Sequence, residues 1–463
     1  MPSTFGDVVV LLPGITGSVL ARNGKDVWAP SAGGIFRAVF SLGGSIKDLE
    51  LTSDDVDDGV TAPRLIGDIT VIPGLIKIDG YTKVADYLVA QLGLERDKNF
   101  FAFPYDWRRC NRISARQLET SAMKWLHAWR QSSGNANAKL ILLGHSMGGL
   151  VSRYFLENLG GWEHTRTLVT FGTPHRGALN AVDFLVNGMK KGVGPLKLDI
   201  TPLLRSLTSV YQLLPIYRCV DLGGAAAEYV AGAATLGHLP GVDPKRAAGA
   251  RTFHQEIEDA QKANAGNAAY RERGYRLVPM VGIDQPTLQS VRVRGGVVEL
   301  LRSLGGTDDA GDGTVPRVSA TPIELSDAEA EVYAAEKHGS LQNTDGLLQN
   351  VKGVLTRPSS DKLRDLRSSA LGVSVAMDLD DAFAAAEPVV VRAKPLEGAP
   401  PLRVTIANAA SGEEVVSGHP LGRGQDGWQV GEYDLPAGAY RVTVHGEGMV
   451  TPVHDLCLVM EAE

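Results

Sequence analysis

The residues best suited to chemistry are a serine and two flanking glycines at the end of an apolar run. Residues 139–150 are Lys-Leu-Ile-Leu-Leu-Gly-His-Ser-Met-Gly-Gly-Leu, in which Ser146 lies between Gly144 and Gly148. This Gly-x-Ser-x-Gly spacing is typical of a nucleophile elbow, a strained turn that presents a serine hydroxyl at the end of a strand. The pattern predicts a strand, a sharp turn carrying a serine nucleophile, and the start of a helix.

The motif alone has low specificity. Because 53 of the 463 residues are glycine, about one chain of this composition in three would contain it by chance. Residues 140–143 form the continuous apolar run expected of a parallel strand buried on both faces. Apolar residues then recur at helical spacing through residues 149–159. This context favours an elbow over a glycine-rich turn with a solvent-exposed serine.

A serine nucleophile needs a histidine base, which needs an acid to fix its tautomer. After a nucleophile elbow, the acid comes next along the chain and the histidine last. Four of the ten histidines lie in the last part of the chain, where this order places the base: His338, His419, His445 and His454. The last three fall in a β-rich tail, so position and elimination select His338.

Five aspartates are candidates for the acid: Asp284, Asp308, Asp309, Asp312 and Asp327. The segment Gly-Asp-Gly-Thr-Val-Pro at residues 311–316 favours Asp312, because its glycines allow a tight turn that presents one carboxylate. A turn-forming role for Asp312 is the structural alternative, as is an ordinary surface position for His338.

An acyl-transfer site also needs backbone donors for the oxyanion. Residues 7–12 predict a short strand, followed by the loop Pro-Gly-Ile-Thr-Gly-Ser at residues 13–18. One donor usually comes from the loop after an early strand and the other from the residue after the nucleophile. The amides of Ile15 and Met147 are therefore the candidates, with an ordinary Pro-Gly turn as the alternative.

Strands alternate with helices along most of the chain, which predicts a parallel, doubly wound sheet. Besides the elbow, the predicted strands are 7–12, 100–103, 167–171, 275–283, 291–301 and 331–334, and the predicted helices are 80–92, 113–131 and 344–355. Residues 28–60, with an apolar segment at 35–40, interrupt the pattern as an irregular insertion. Residues 181–274 form a second insertion, expected to cover the site as a cap or lid.

The cap insertion carries apolar residues with two interpretations. They are Leu203, Leu204, Leu207, Tyr211, Leu213 and Leu214. As an exposed face they would contact a lipid or a membrane surface; as core residues they would pack the cap on the body, and packing is the favoured interpretation.

Composition excludes several function classes. The net charge of −7, with no block of basic residues, argues against a nucleic-acid partner. Three widely separated cysteines lack metal-ligand spacing, so buried free thiols are expected and neither a metal nor a cofactor is. The first residues resemble a strand more than a signal peptide, and no run of eighteen apolar residues occurs, so a cytoplasmic location is expected.

Composition changes after residue 357. We predict a hydrolase-like domain over residues 1–357, a helical and acidic linker over 358–386, and a β-rich accessory domain over 387–463. Short alternating segments separated by Gly and Pro turns predict a small β-sandwich in the last of these.

Four motifs together resemble the lecithin:cholesterol acyltransferase family, which includes lysosomal phospholipases and diacylglycerol acyltransferases. They are Gly-His-Ser-Met-Gly-Gly, Pro-Tyr-Asp-Trp-Arg at residues 104–108, Gly-Asp-Gly-Thr-Val-Pro and the loop of His338. The resemblance spans about residues 7–355 and implies an α/β-hydrolase fold. It also implies a triad of Ser146, Asp312 and His338 and oxyanion donors at Ile15 and Met147.

The expected function is serine-dependent acyl transfer on lipid esters, as a lipase, phospholipase or O-acyltransferase, without a cofactor. The chain departs from secreted family members in lacking a lid disulfide and a signal peptide, and in carrying the β-rich tail. Two alternatives follow: a carboxylesterase acting on small soluble esters, and a regulated effector hydrolase whose C-terminal domain docks a partner protein. Peripheral membrane contact is expected through the cap.

Overall fold

A six-stranded, all-parallel sheet forms the centre of the molecule. The computed structural model describes residues 5–29, 49–67, 70–72, 76–193, 196–224, 226–325, 332–356, 373–446 and 451–460. The sheet strands are β1 (Val8–Leu12), β2 (Phe100–Ala102), β3 (Leu140–His145), β4 (Thr165–Phe171), β5 (Arg276–Gly282) and β6 (Val332–Ala334). Their spatial order is β6-β5-β4-β3-β1-β2. All residues of β1 and β3 are buried, as the continuous apolar runs predict.

Helices and short 3₁₀ turns connect these strands. The α-helices are Thr82–Leu92, Asn111–Ser133, Met147–Asn158, Leu179–Val186, Thr201–Ser206, Thr208–Tyr211, Val230–Thr235, Pro244–Ala265, Ala268–Arg273, Arg317–Ala320 and Asp345–Thr356. The 3₁₀ turns are Gly161–His164, Ile323–Leu325 and His338–Asn343. The predicted α/β-hydrolase fold is confirmed, with helices between successive parallel strands. Within the described residues, none of the helices is long and apolar enough to cross a membrane.

Small antiparallel sheets surround the central one. Strand Ser18–Arg22 pairs with Lys25–Trp28 and Val60–Leu65, Thr70–Ile72 pairs with Ile76–Ile78, and Lys190–Val193 pairs with Leu196–Asp199. The apolar segment predicted at 35–40 lies outside the described residues.

Residues 291–301, predicted as one strand, are instead a hairpin. Gly295 and Gly296 have φ of +56° and +80° and turn the chain between Ser290–Arg294 and Val297–Leu301. Two consecutive glycines at positive φ are the usual requirement of a tight hairpin turn. The hairpin pairs with Val220–Asp221 and so lies outside the central sheet.

The C-terminal β region comprises residues 373–446 and 451–460. One sheet contains Val375–Asp378, Val389–Pro395, Gln429–Tyr433 and Gly422–Arg423; the other contains Ala382–Ala384, Val453–Met460, Gly438–Gly446, Leu402–Asn408 and Glu414–Pro420. Both sheets contribute side chains to one apolar core, which confirms the predicted β-sandwich-like region.

The prediction of a helical and acidic linker over residues 358–386 is wrong for the last part of this range. Residues 375–378 and 382–384 are strands, one in each sheet of the C-terminal β region. Val375 and Met377 are fully buried. The strand has only four residues, Val-Ala-Met-Asp, and this pattern is too short to predict a strand from the sequence. The start of this linker lies outside the described residues.

Candidate active site

Ser146 sits in a strained turn between β3 and the helix Met147–Asn158. Its φ is +52° and its ψ is −124°, a backbone conformation that L-residues rarely adopt. A Cβ at Gly144 would lie 2.7 Å from the Gly149 nitrogen, and one at Gly148 would lie 2.5 Å from the Pro13 carbonyl oxygen. The two glycines of the motif are therefore required by close backbone approach.

The structure brings Ser146, His338 and Asp312 into one hydrogen-bonded row. His338 Nδ1 lies 2.7 Å from Asp312 Oδ2, and His338 Nε2 lies 3.0 Å from Ser146 Oγ. Because a carboxylate only accepts, Nδ1 carries the proton and leaves Nε2 free to accept from the serine hydroxyl. The row has the order and tautomer that activation of a serine requires.

Asp312 is fixed by its own turn. Its Oδ1 accepts hydrogen bonds from the amides of Thr314 (2.9 Å) and Val315 (2.6 Å), which leaves Oδ2 for His338. The His338 amide also donates to the Asp312 carbonyl at 2.8 Å. Asp308 is engaged elsewhere, accepting from Gln289 Nε2 at 2.6 Å. Asp327 lies outside the described residues.

The loop after β4 packs against this row. Gly172 has a φ of +53°, and a Cβ there would lie 2.7 Å from Asp312 Oδ2 and 2.9 Å from His338 Nδ1. Thr173 donates its hydroxyl proton to the Ser146 carbonyl at 2.9 Å. The sequence shows a Gly-Thr-Pro loop after a strand. The contact of this loop with Asp312 depends on which strands pair in the sheet, and no local sequence pattern reveals that.

The loop after β1 also approaches Ser146 closely. A Cβ at Gly14 would lie 2.8 Å from Ser146 Cβ and 3.4 Å from Ser146 Oγ. In the described part of the chain, neither the Ile15 amide nor the Met147 amide donates to a protein acceptor. Both predicted oxyanion donors thus belong to segments beside Ser146 and keep an N–H available.

The Pro-Tyr-Asp-Trp-Arg motif holds this loop in place. Tyr105 donates its hydroxyl proton to the Pro13 carbonyl at 2.9 Å, and its amide donates to Ser18 Oγ at 3.1 Å. Trp107 Nε1 donates to the Ser18 carbonyl at 3.1 Å. Asp106 binds Arg108, whose guanidinium is completely buried. The motif supports both ends of the candidate oxyanion loop.

A second relay, which sequence reasoning missed, runs through Tyr81 and His145. The Gly14 amide donates to the Tyr81 hydroxyl at 2.8 Å, which in turn lies 2.8 Å from His145 Nδ1. His145 Nε2 lies 3.1 Å from the His338 carbonyl and therefore carries the ring proton. Burial, together with the charge of nearby His338, lowers the pKa of His145 to about 3. An imidazole that stays neutral at neutral pH thus links the candidate oxyanion loop to the loop of His338.

A cavity of about 340 Å³ opens onto Ser146 and His338. One wall is apolar and includes Phe184, Leu203, Leu207 and Val210 from the cap. The six apolar cap residues were open to two interpretations, as a lipid-facing surface or as core. All but Leu213 are buried, so they pack the cap on the body. Some of the six also line the cavity.

The other end of the cavity is charged. Its wall contains Lys77, Lys337, Asp378, Asp381 and Asp455. Burial lowers the pKa of Lys337; the same effect on Lys77 is outweighed by the carboxylates of Asp455 and Asp381, which raise its pKa. The sequence does not reveal this charged end, because its residues come from four distant segments. Among the described residues, no three His, Cys, Asp or Glu side chains cluster as a metal site.

Comparison with known proteins agrees with the motifs. The family model of lecithin:cholesterol acyltransferase matches residues 69–234, so the resemblance inferred from the sequence is confirmed. The match includes Ser146 and ends before Asp312 and His338.

Two curated proteins are similar to part of the chain. Uncharacterized protein YJR098C of Saccharomyces cerevisiae is 29% identical over 155 residues, covering 33% of this chain and 21% of that protein. Lecithin-cholesterol acyltransferase-like 4 of Arabidopsis thaliana is 31% identical over 132 residues, covering 26% of this chain and 24% of that protein. The chain therefore spans only about a fifth to a quarter of these relatives.

Solved structures resemble the chain at low similarity. The propeptide form of Bacillus licheniformis lipase BlEst2 has a TM-score of 0.35 and 12% identity, covering 99% of this chain and 94% of that one. Phospholipase PlaB from Legionella pneumophila has a TM-score of 0.27 and 8% identity, covering 98% and 92%.

Proposed function

We propose that this chain catalyses acyl transfer from lipid esters, as a hydrolase or O-acyltransferase, through an acyl-serine intermediate on Ser146. The observation that supports this most strongly is the row of Asp312, His338 and Ser146, with contacts of 2.7 and 3.0 Å, at the wall of a cavity. Similarity to the lecithin:cholesterol acyltransferase family supports the same chemistry.

In the proposed first step, His338 Nε2 removes the hydroxyl proton as Ser146 Oγ attacks the ester carbonyl. The Asp312 carboxylate stabilises the imidazolium that forms. The oxyanion is held by the Ile15 and Met147 amides, and His338 then gives its proton to the departing alcohol oxygen. The products are an acyl-serine and a free alcohol.

In the second step, His338 removes a proton from water or from an acceptor alcohol, which attacks the acyl-serine. Water yields the free acid, and an alcohol yields a new ester. The returning proton restores the serine hydroxyl, so each cycle balances without a cofactor.

The cavity supports a lipid acyl chain as substrate. Burying each methylene against an apolar wall contributes about 0.8 kcal/mol, and Phe184, Leu203 and Leu207 offer such a wall beside Ser146. A small soluble ester would leave most of this surface unused.

Product analysis tests the proposal. Wild-type protein, Ser146→Ala and the control Ser152→Ala are each incubated with a phospholipid donor and a long-chain alcohol. Ser152 is a buried serine on the following helix turn, bonded to the Gly148 carbonyl. We expect free acid or a new ester from the wild type and Ser152→Ala only. Equal product from Ser146→Ala would contradict the proposal.

A further inference from the structure

The segment that carries His338 lies against the C-terminal β region as well as against the sheet. Three side chains of the region, from the strands Gly438–Gly446 and Val453–Met460, pair with side chains of residues 336 and 337 or of the neighbouring residues 77 and 79. They are His454, Asp455 and Arg441. Each contact involves charged groups, and together they include both residues that precede His338.

His454 holds Glu336, two residues before the base. Glu336 is 1% exposed, and its Oε2 lies 2.7 Å from His454 Nδ1. Its Oε1 accepts from the amides of His454 and Lys337, both at 2.9 Å. Burial alone would lower the pKa of His454, but the Glu336 carboxylate raises it above its ordinary value. The contact is therefore a charge-assisted pair that fixes the backbone leading into His338.

Asp455 holds the next residue, Lys337, and its neighbour in space, Lys77. Asp455 is 4% exposed; its Oδ2 lies 3.1 Å from Lys77 Nζ and 3.9 Å from Lys337 Nζ. Lys77 also pairs with Asp381 at 2.9 Å. These residues form the charged end of the cavity at Ser146, so the C-terminal β region supplies part of the cavity wall.

Arg441 supports the turn on the other side of His338. It forms an ion pair with Asp79, whose amide donates to the Gly339 carbonyl at 2.9 Å. A Cβ at Gly339 would lie 1.8 Å from the Lys77 carbonyl oxygen, so the turn rests directly on that backbone. Only glycine permits this approach.

Buried charges are costly unless they are paired. An accessory region that served only to dock a partner would have no need to bury Glu336 and Asp455 at the segment of the base. Here the pairs converge on four consecutive residues, 336–339. Because proton transfer depends on sub-ångström placement of the imidazole, restraint of this segment bears directly on catalysis.

We propose that the C-terminal β region is a positioning part of the active site, in which His454, Asp455 and Arg441 hold the loop of His338 in its working geometry. The inference rests on the function proposed above. The three are positioning residues, since none contacts Ser146 or the reacting ester. The proposal replaces the alternative in which this region only docks a partner.

The test compares three histidine variants of the full chain. His454→Ala removes the imidazole but keeps the backbone donor to Glu336; His454→Asn places an amide nitrogen where Nδ1 was and retains the donor. His445→Ala is the matched control, because His445 lies on the adjacent strand and pairs with Thr405 Oγ1 at 3.2 Å instead. The readouts are the rate at which a fluorophosphonate labels Ser146, kcat and KM for nitrophenyl butyrate, and the melting temperature.

We expect His454→Ala to lower the labelling rate and kcat about tenfold, with KM within about twofold, because the base is displaced while the cavity remains. His454→Asn should recover most of the loss, and His445→Ala should match the wild type. Wild-type labelling of His454→Ala, or an equal loss in His445→Ala, would overturn the proposal.

A second variant keeps the test decisive if His454→Ala does not fold. Arg441 is about one-third exposed, and Arg441→Gln removes the charge that pairs with Asp79 while keeping a polar side chain. We expect slower labelling of Ser146 at a temperature well below the melting temperature of the variant, and an unchanged labelling rate would refute the inference. Labelling of a residue other than Ser146 in the wild type would instead refute the proposed function, so the two failures are distinguishable.

Discussion

Gly172 illustrates how closely single residues define the candidate site. A Cβ at Gly172 would lie 2.7 Å from Asp312 Oδ2 and 2.9 Å from His338 Nδ1, which is too close for any side chain. The same constraint applies at Gly14 beside Ser146 and at Gly339 after His338. Glycines in three separate loops thus set the spacing of Asp312, His338 and Ser146.

Gly172→Ala is expected to lower kcat about 100-fold or more, because the new methyl group displaces the Asp312–His338 pair by an ångström or so. Gly160→Ala is a matched control: Gly160 has a φ of +74°, but nothing lies within 4 Å of a Cβ there. Both variants should lose about 1–2 kcal/mol of stability from the left-handed backbone. Ester hydrolysis and urea unfolding measure the two effects, and equal kcat in both variants would contradict the account.

At the scale of elements, the carboxyl edge of the parallel sheet gathers the site. Ile15 follows β1, Ser146 follows β3, Gly172 follows β4 and His338 follows β6. Loops at this edge meet because the strands are parallel, which is why open α/β sheets bind ligands there. The cap helix Leu179–Val186 then closes the apolar side of the cavity.

Phe184 on that helix tests the assignment of the acyl wall. Phe184→Arg places a charge on the apolar wall, so kcat/KM for a dodecanoyl ester should fall about tenfold or more while an acetyl ester is little affected. Asp183→Arg, on the same helix, alters a side chain that pairs with Asn187 and serves as the control. An equal fall in kcat/KM for the dodecanoyl and the acetyl ester would indicate that the acyl chain binds elsewhere.

At the scale of the whole molecule, buried neutral histidines make the fold sensitive to acid. Burial lowers the pKa of His145 to about 3 and that of His254 to about 4. The unfolded chain binds these protons below about pH 6.5, whereas the folded chain does not until the lowered pKa is reached. Stability therefore falls as the pH drops through this window. His454, with a raised pKa, contributes with the opposite sign.

His254→Gln isolates one of these protons. His254 Nε2 donates to the Gln212 carbonyl at 2.7 Å, and a glutamine amide can replace that donor without titrating. Between pH 7 and pH 5 the unfolding free energy of the wild type should fall about 2 kcal/mol more than that of the variant. His127→Gln, at an exposed position of the helix Asn111–Ser133, is the control. Parallel pH profiles for wild type and His254→Gln in urea unfolding would be inconsistent with this origin.

The sequence predicts the elbow, the central strands and the order of Ser146, Asp312 and His338, because these depend on local periodicity and on short motifs. It does not predict Tyr81, Glu336 or His454, since Tyr81 lies 64 residues from its partner His145, and Glu336 and His454 lie 118 residues apart. Strand Val375–Asp378 is not predicted either, because its pairing with the strand Val389–Pro395, and not its own pattern, defines it.

Labelling of the proposed nucleophile tests the central claim most directly. A fluorophosphonate forms a stable adduct only with an activated serine, and mass spectrometry of the digested protein locates it. We predict one adduct on Ser146 in the wild type and none in Ser146→Ala, whose kcat should also fall by about 10⁶. An adduct that persists in Ser146→Ala, or one that maps to another serine in the wild type, would contradict the account.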